Sequence, residues 1–119
     1  MKYETIIDSL LERFPELITK YNEEGYYIED LPYLVYGIVF IPYMIEIFNT
    51  EDEERKEQIT QFLEEMLNSE EPKVSESAYI EVVEGVVSER EFLAKARKYF
   101  KEETIKSLDI LEKEAGWIK

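Results

Sequence analysis

Apolar residues recur at intervals of three and four in successive short segments of this chain. Ile6, Leu10 and Phe14 follow this spacing near the start, and residues 59–67 and 105–111 repeat it later. Such spacing places the apolar side chains of a segment on one stripe of an α-helix. The pattern therefore predicts a chain of short amphipathic helices.

Proline, glycine and capping residues indicate where these helices begin and end. Pro15 and Pro42 suit the first turn of a helix, because proline lacks the N–H that a helix interior needs. Residues 50–53 and 88–91 each read as a capping box, with Thr or Ser followed three residues later by Glu. Gly116 is expected to cap the last helix at its C-terminal end.

Residues 33–41 are the most ambiguous stretch, since their β-branched and aromatic side chains suit a buried strand as well as a buried helix. A helix is favoured, because a lone strand with no partner elsewhere in the sequence could not satisfy its backbone hydrogen bonds. We expect this helix to break at Ile41 and a new one to begin at Pro42.

The sequence as a whole predicts an all-α fold of seven or eight short helices in antiparallel pairs. The two arrangements open to it are a helical-repeat-like α-α superhelix, which is preferred, and a compact bundle. No linker or change of composition marks a boundary, so residues 1–119 are expected to form a single all-α domain.

The composition restricts the chemistry that the chain can perform. The 28 acidic and 14 basic residues give a formal charge of −14, and the sequence contains neither His nor Cys. Thiolate and imidazole catalysis and ordinary transition-metal sites are thereby excluded, and we expect no cofactor, no metal and no enzymatic activity. The negative field disfavours nucleic acid as a partner.

No targeting signal and no apolar run of about 20 residues is present, so we expect a cytoplasmic protein that does not enter membranes.

The candidate binding surface is a group of tyrosines and acids in the first half of the chain. Tyrosine is frequent at binding hot spots, and acids beside it suit a basic partner. The alternative is that the tyrosines are half-buried core residues, which is favoured for Tyr33 and Tyr36, whereas a surface position is favoured for Tyr26 and Tyr27. The predicted partner-binding residues are Tyr26, Tyr27, Glu29, Asp30, Tyr36 and Tyr43.

The runner-up hypothesis is a small carboxylate-based enzyme or a ligand-binding helical domain. It would use Glu46 and Glu84 as a pair of buried or pocket carboxylates whose environments separate their pKa values. Glu84 lies in an apolar run, although a helical wheel places it opposite the valines. Gly85 beside it indicates either close packing between helices or an early end of the helix.

Four segments together resemble a widespread family of small, acidic, all-helical bacterial proteins without an assigned function. They are residues 11–17, 36–43, 80–86 and 94–111. The size and acidity of such proteins are similar to those of the immunity proteins of bacterial polymorphic-toxin systems. Together with the acidic surface and the tyrosines, this similarity favours a non-enzymatic interaction protein, monomeric or homodimeric, that binds a basic protein such as a toxin.

Overall fold

The computed structural model describes residues 1–24 and 32–116, and within them the all-α prediction is confirmed. Short 3₁₀ turns at Tyr3–Thr5 and Pro15–Leu17 lead into the first two helices. The described residues form seven helices and no strand. The helices are α1 (Ile6–Arg13), α2 (Ile18–Glu24), α3 (residues 32–48), α4 (Glu53–Leu67), α5 (residues 72–86), α6 (Arg90–Ala96) and α7 (Glu102–Glu114).

The ambiguous segment is helical, but the predicted break at Ile41 is wrong. Helix α3 continues through Ile41 and Pro42, because a π-helical stretch at Tyr36–Phe40 joins two α-helical parts. In α5 the stretch Ala78–Val83 is also π-helical, and the two π-helical stretches pack against each other. Such stretches are rare and often occur at functional sites.

Helix α4 occupies the centre of the fold and contacts α3, α5 and α7. In a helical repeat each unit would contact only its sequence neighbours. The contact between α4 and α7, three helices further along the chain, therefore identifies the compact alternative instead of the preferred superhelix. The radius of gyration of 13.7 Å agrees with this, since a compact chain of this length has about 13.5 Å.

The core is built around aromatic side chains from α1, α3 and α4. Phe14 lies 5.6 Å from Phe62 and 5.9 Å from Phe40, measured between ring centroids, and Tyr36 stacks on Phe62 at 6.4 Å. Offset and edge-to-face ring pairs of this kind contribute beyond the area they bury. One position of the predicted stripes is wrong: Ile110 of α7 is half exposed.

The helix ends agree in part with the capping signals. Gly116 has φ of 80° and accordingly follows α7 in the left-handed conformation that glycine favours. Helix α4, however, is capped by Asp52, whose Oδ1 accepts a hydrogen bond from the N–H of Arg55 at 3.0 Å. The Thr50 hydroxyl instead donates to the carbonyl of Ile47 at 2.6 Å. The residue before α6, Glu89, makes no side-chain capping bond.

Candidate functional site

The structure places a groove of about 350 Å³ between the N-terminal turn, the start of α3 and the outer face of α5. We call it the tyrosine-acid groove, and it is lined by Tyr3, Tyr33, Lys73, Glu76, Ile80 and Glu81. Ile80 is 53% exposed and is therefore an apolar contact available to solvent. Two tyrosines, two acids and an exposed isoleucine thus converge from distant parts of the sequence.

The wall of the groove is fixed by contacts between the N-terminus and α5. The backbone N–H of Tyr3 donates to Oε1 of Glu71 at 3.1 Å, just before α5 begins. The ammonium of Lys73 lies 5.4 Å from the centroid of the Tyr3 ring, which is within the range of a cation–π interaction. The ring of Tyr3 therefore already receives a cation in the free protein.

Glu81 lies at the point where α5 meets α3. A Cβ on Gly37 would be 3.4 Å from Oε2 of Glu81, so the carboxylate lies against the backbone of α3. Burial, and in second place the charge of Glu84, raise the pKa of Glu81. A cation brought into the groove would reverse this effect, because it stabilises the ionised carboxylate.

A second depression of about 270 Å³ adjoins the groove on the other side of Ile80. It shares Glu76 and Ile80 with the groove and adds Tyr79 from α5 and Glu103 from α7. Burial raises the pKa of Tyr79, helped by the charges of Glu114 and Glu84, so its hydroxyl stays protonated. The outer face of α5 accordingly presents an isoleucine between tyrosines and acids on both sides.

The sequence of this chain matches a family defined by a domain of unknown function, DUF7674, over residues 7–114. The chain belongs to the DUF7674 family. No curated protein matches the chain, and no solved structure does so either. The family contributes no activity to the interpretation, so the site of this DUF7674 domain is argued from its geometry alone.

Of the six predicted partner-binding residues of the DUF7674 domain, the structure describes Tyr36 and Tyr43. Tyr26, Tyr27, Glu29 and Asp30 lie outside the described residues.

The two remaining tyrosines of the predicted surface lie within the described residues. Tyr36 is fully buried and its hydroxyl donates to the carbonyl of Ile6, so its prediction as a partner-binding residue is wrong. Tyr43 is half-buried and donates its hydroxyl to Glu16, which also accepts a bond from Arg55 at 2.9 Å. Burial and this bond to Glu16 raise the pKa of Tyr43 above its usual range.

The carboxylate pair of the runner-up hypothesis is also corrected by the structure. Glu46 on α3 and Glu84 on α5 are both exposed, so neither is a buried or pocket carboxylate. The reason is helical phase, since each lies on the face of its helix opposite the buried stripe. Gly85, by contrast, does mark close packing, because a Cβ there would lie 2.6 Å from Cδ1 of Ile41.

Three buried charged residues were missed by the sequence reasoning. Glu64, Glu112 and Lys56 are each at most 9% exposed. Lys56, Thr60 and Glu64 follow one another at intervals of four along α4, directly beside its apolar stripe. Because these polar residues lie next to the apolar stripe, their spacing was the available signal that the buried face of the central helix is wider than the stripe itself.

The structure adds two observations on metals and membranes. Among residues 1–24 and 32–116, no three acidic side chains are grouped so that they could hold a metal ion. Within the same residues, no helix is long and apolar enough to cross a membrane.

Proposed function

We propose that this DUF7674 domain is a non-enzymatic interaction module that binds a basic protein through the tyrosine-acid groove. The observation that carries the proposal is the ammonium of Lys73 on the ring of Tyr3, in a groove that Glu76 and Glu81 also line. A groove that holds the chain's own ammonium offers the chemistry that a partner's lysine or arginine requires.

The remaining features of the groove support the same kind of partner. Ile80 supplies an exposed apolar anchor, and Tyr33 supplies a ring beside it. Aromatic and apolar anchors determine the lifetime of a complex, whereas charge complementarity mainly increases its rate of formation. The net charge of −14 would steer a basic protein toward the domain, and this steering would weaken with salt.

The finer form of this proposal is an immunity protein that neutralises a basic toxin. Its support is the combination of small size, acidity and the acid-lined groove. The experiment is co-expression and co-purification of the full chain with the product of the neighbouring gene, followed by calorimetric titration. If that product is a toxin, we expect co-expression to restore the growth of cells that produce it.

Two surface variants locate the binding site. We expect Ile80→Asp and Glu76→Lys each to weaken the complex by about tenfold or more, as hot-spot losses of more than about 1.4 kcal/mol do. The matched controls are Ile110→Asp and Glu46→Lys, which make the same changes at exposed positions outside the groove. Equal effects of the groove variants and the controls would contradict the proposal.

A further inference from the structure

A second pocket carries a charge opposite to that of the molecule as a whole. It has a volume of about 380 Å³ and lies between the end of α3, the start of α4 and the end of α6. We call it the lysine pocket, and its walls include Lys56, Lys95, Lys98, Glu53, Phe48 and Tyr99. Three lysines and one acid line this pocket, although the whole chain has twice as many acids as bases.

Lys56 forms the floor of the pocket. Its side chain is only 9% exposed, and its Nζ lies 3.1 Å from Oε1 of Glu53, which is itself 63% exposed. The same Nζ lies 5.6 Å from the ring centroid of Tyr99 and 6.0 Å from that of Phe48. Aromatic rings and an ion pair therefore hold an ammonium in place at a site of low solvent access.

Glu53 supplies one negative charge against the three lysines. A hydrogen bond from the Tyr99 hydroxyl and another from Lys56 lower the pKa of Glu53, so it is ionised at neutral pH. The other two lysines form no salt bridge with Glu53, although the charge of Lys98 also helps to lower its pKa. Lys95 donates to the uncharged Oδ1 of Asn49 at 2.5 Å, and the ammonium of Lys98 lies 5.4 Å from the ring centroid of Tyr99.

The nearest acid on the next turn of α4 does not cancel this excess. Glu57 accepts a hydrogen bond from Lys101 at 3.2 Å and is thus already paired. The lining of the pocket consequently keeps two positive charges more than negative ones.

We propose that the lysine pocket binds a small molecule that carries a phosphate group. A dianionic oxyanion would satisfy the two excess charges, and charge-assisted hydrogen bonds to lysine are among the stronger ones. The volume lies at the lower end of the range of about 300–1,000 Å³ typical of small-molecule sites. It leaves space beside the phosphate for an organic part.

The test is a titration of the full chain with inorganic phosphate and with pyrophosphate at constant ionic strength. Amide NMR shifts measure the binding, and chloride is the reference anion. We expect saturable shifts at residues 53–56 and 94–99. Lys95→Gln and Lys98→Gln should each weaken binding by roughly tenfold, as the loss of one charge-assisted bond does. Lys113→Gln, which removes the same charge at an exposed position of α7, should leave the affinity unchanged.

Two results would overturn this assignment. One is a set of shifts that do not saturate or that are spread equally over lysines outside the pocket. The other is an equal loss of affinity in Lys113→Gln and Lys98→Gln, with both spectra showing a folded protein. Because no lining residue is shared with the tyrosine-acid groove, loss of phosphate binding is distinguishable from loss of the partner protein.

Discussion

Glu64 of α4 caps helix α7 through Thr104, since one oxygen of the Glu64 carboxylate accepts both the backbone N–H and the hydroxyl of Thr104 at 3.0 Å. The other oxygen accepts the N–H of Glu103 at 2.8 Å and the side-chain amide of Asn68 at 3.2 Å. Burial acts to raise the pKa of Glu64, but these hydrogen bonds outweigh it and lower the pKa. A side chain from the central helix thus satisfies the first N–H groups of α7.

We expect Glu64→Gln to lower the free energy of unfolding by about 1–2 kcal/mol, the usual loss for a helix cap. The pKa of Glu64 is lower in the folded chain than in the unfolded one, so its contribution is present above the ordinary value of about 4.3. The contribution is lost as the pH falls through the lower pKa of the folded state. Urea unfolding between neutral and acidic pH should therefore show a weaker acid dependence in Glu64→Gln than in the wild type.

The control for this prediction is Glu65→Gln, which alters the neighbouring residue. Glu65 is 40% exposed and pairs with Arg13 at 2.9 Å on the surface. Exposed ion pairs contribute only about 0–1 kcal/mol. A variant of Glu65 as unstable as that of Glu64 would show that capping of α7 is not the cause.

Most of the helices could be predicted from the sequence because their signals are local. The stripe of Ile6, Leu10 and Phe14 is buried as its spacing indicates, and Gly116 follows the last helix in the left-handed conformation. The π-helical stretch before Ile41 left no such signal. It lets Pro42 follow within one continuous helix, where proline alone predicts a break.

The site could not be predicted, because it depends on which helices meet. Tyr3 and Glu81 are 78 positions apart (81 − 3) and are brought together by the crossing of α5 with the N-terminal turn and α3. The position of Tyr36 depends on a long-range contact in the same way. The sequence allowed both a surface and a core role, and its contact with Ile6, 30 residues earlier, makes it a core residue.

The contact between Gly85 and Ile41 gives a prediction about helix packing. Alanine is more favourable than glycine within a helix by up to about 1 kcal/mol. In Gly85→Ala the new Cβ would displace Cδ1 of Ile41, so we expect no gain in stability. Ile41→Val removes that atom, and in its background Gly85→Ala should stabilise the chain by about 0.5–1 kcal/mol.

Urea unfolding of the four members of this double-mutant cycle measures the coupling. The matched control places Gly85→Ala in an Ile45→Val background, which shortens another partly buried isoleucine of the same helix. Coupling of the same size in both backgrounds would show that the contact with Ile41 does not govern the packing at Gly85.

The buried hydroxyl of Tyr36 gives a prediction about the core. Tyr36→Phe keeps the ring but leaves the carbonyl of Ile6 without this donor, so we expect a loss of about 1–2 kcal/mol in the free energy of unfolding. Tyr43→Phe is the comparison, because its hydroxyl bonds to the exposed Glu16 and water can replace it. Equal stability of the two variants in urea unfolding would contradict a structural role for the Tyr36 hydroxyl.

Glu112 and Asp109 give a last prediction, because Arg97 bonds to both from the end of α6. The Glu112 side chain is 4% exposed and also accepts a bond from Arg90 at 3.3 Å, whereas the Asp109 side chain is 50% exposed. Burial acts to raise the pKa of Glu112, but the bonds and charges of Arg97 and Arg90 outweigh it and lower the pKa. We expect Glu112→Gln to cost about 2 kcal/mol and Asp109→Asn less than about 1 kcal/mol in urea unfolding at neutral pH. The difference should shrink as the pH falls through the lowered pKa, and an equal cost for both variants at neutral pH would show that burial of Glu112 does not strengthen its ion pairs.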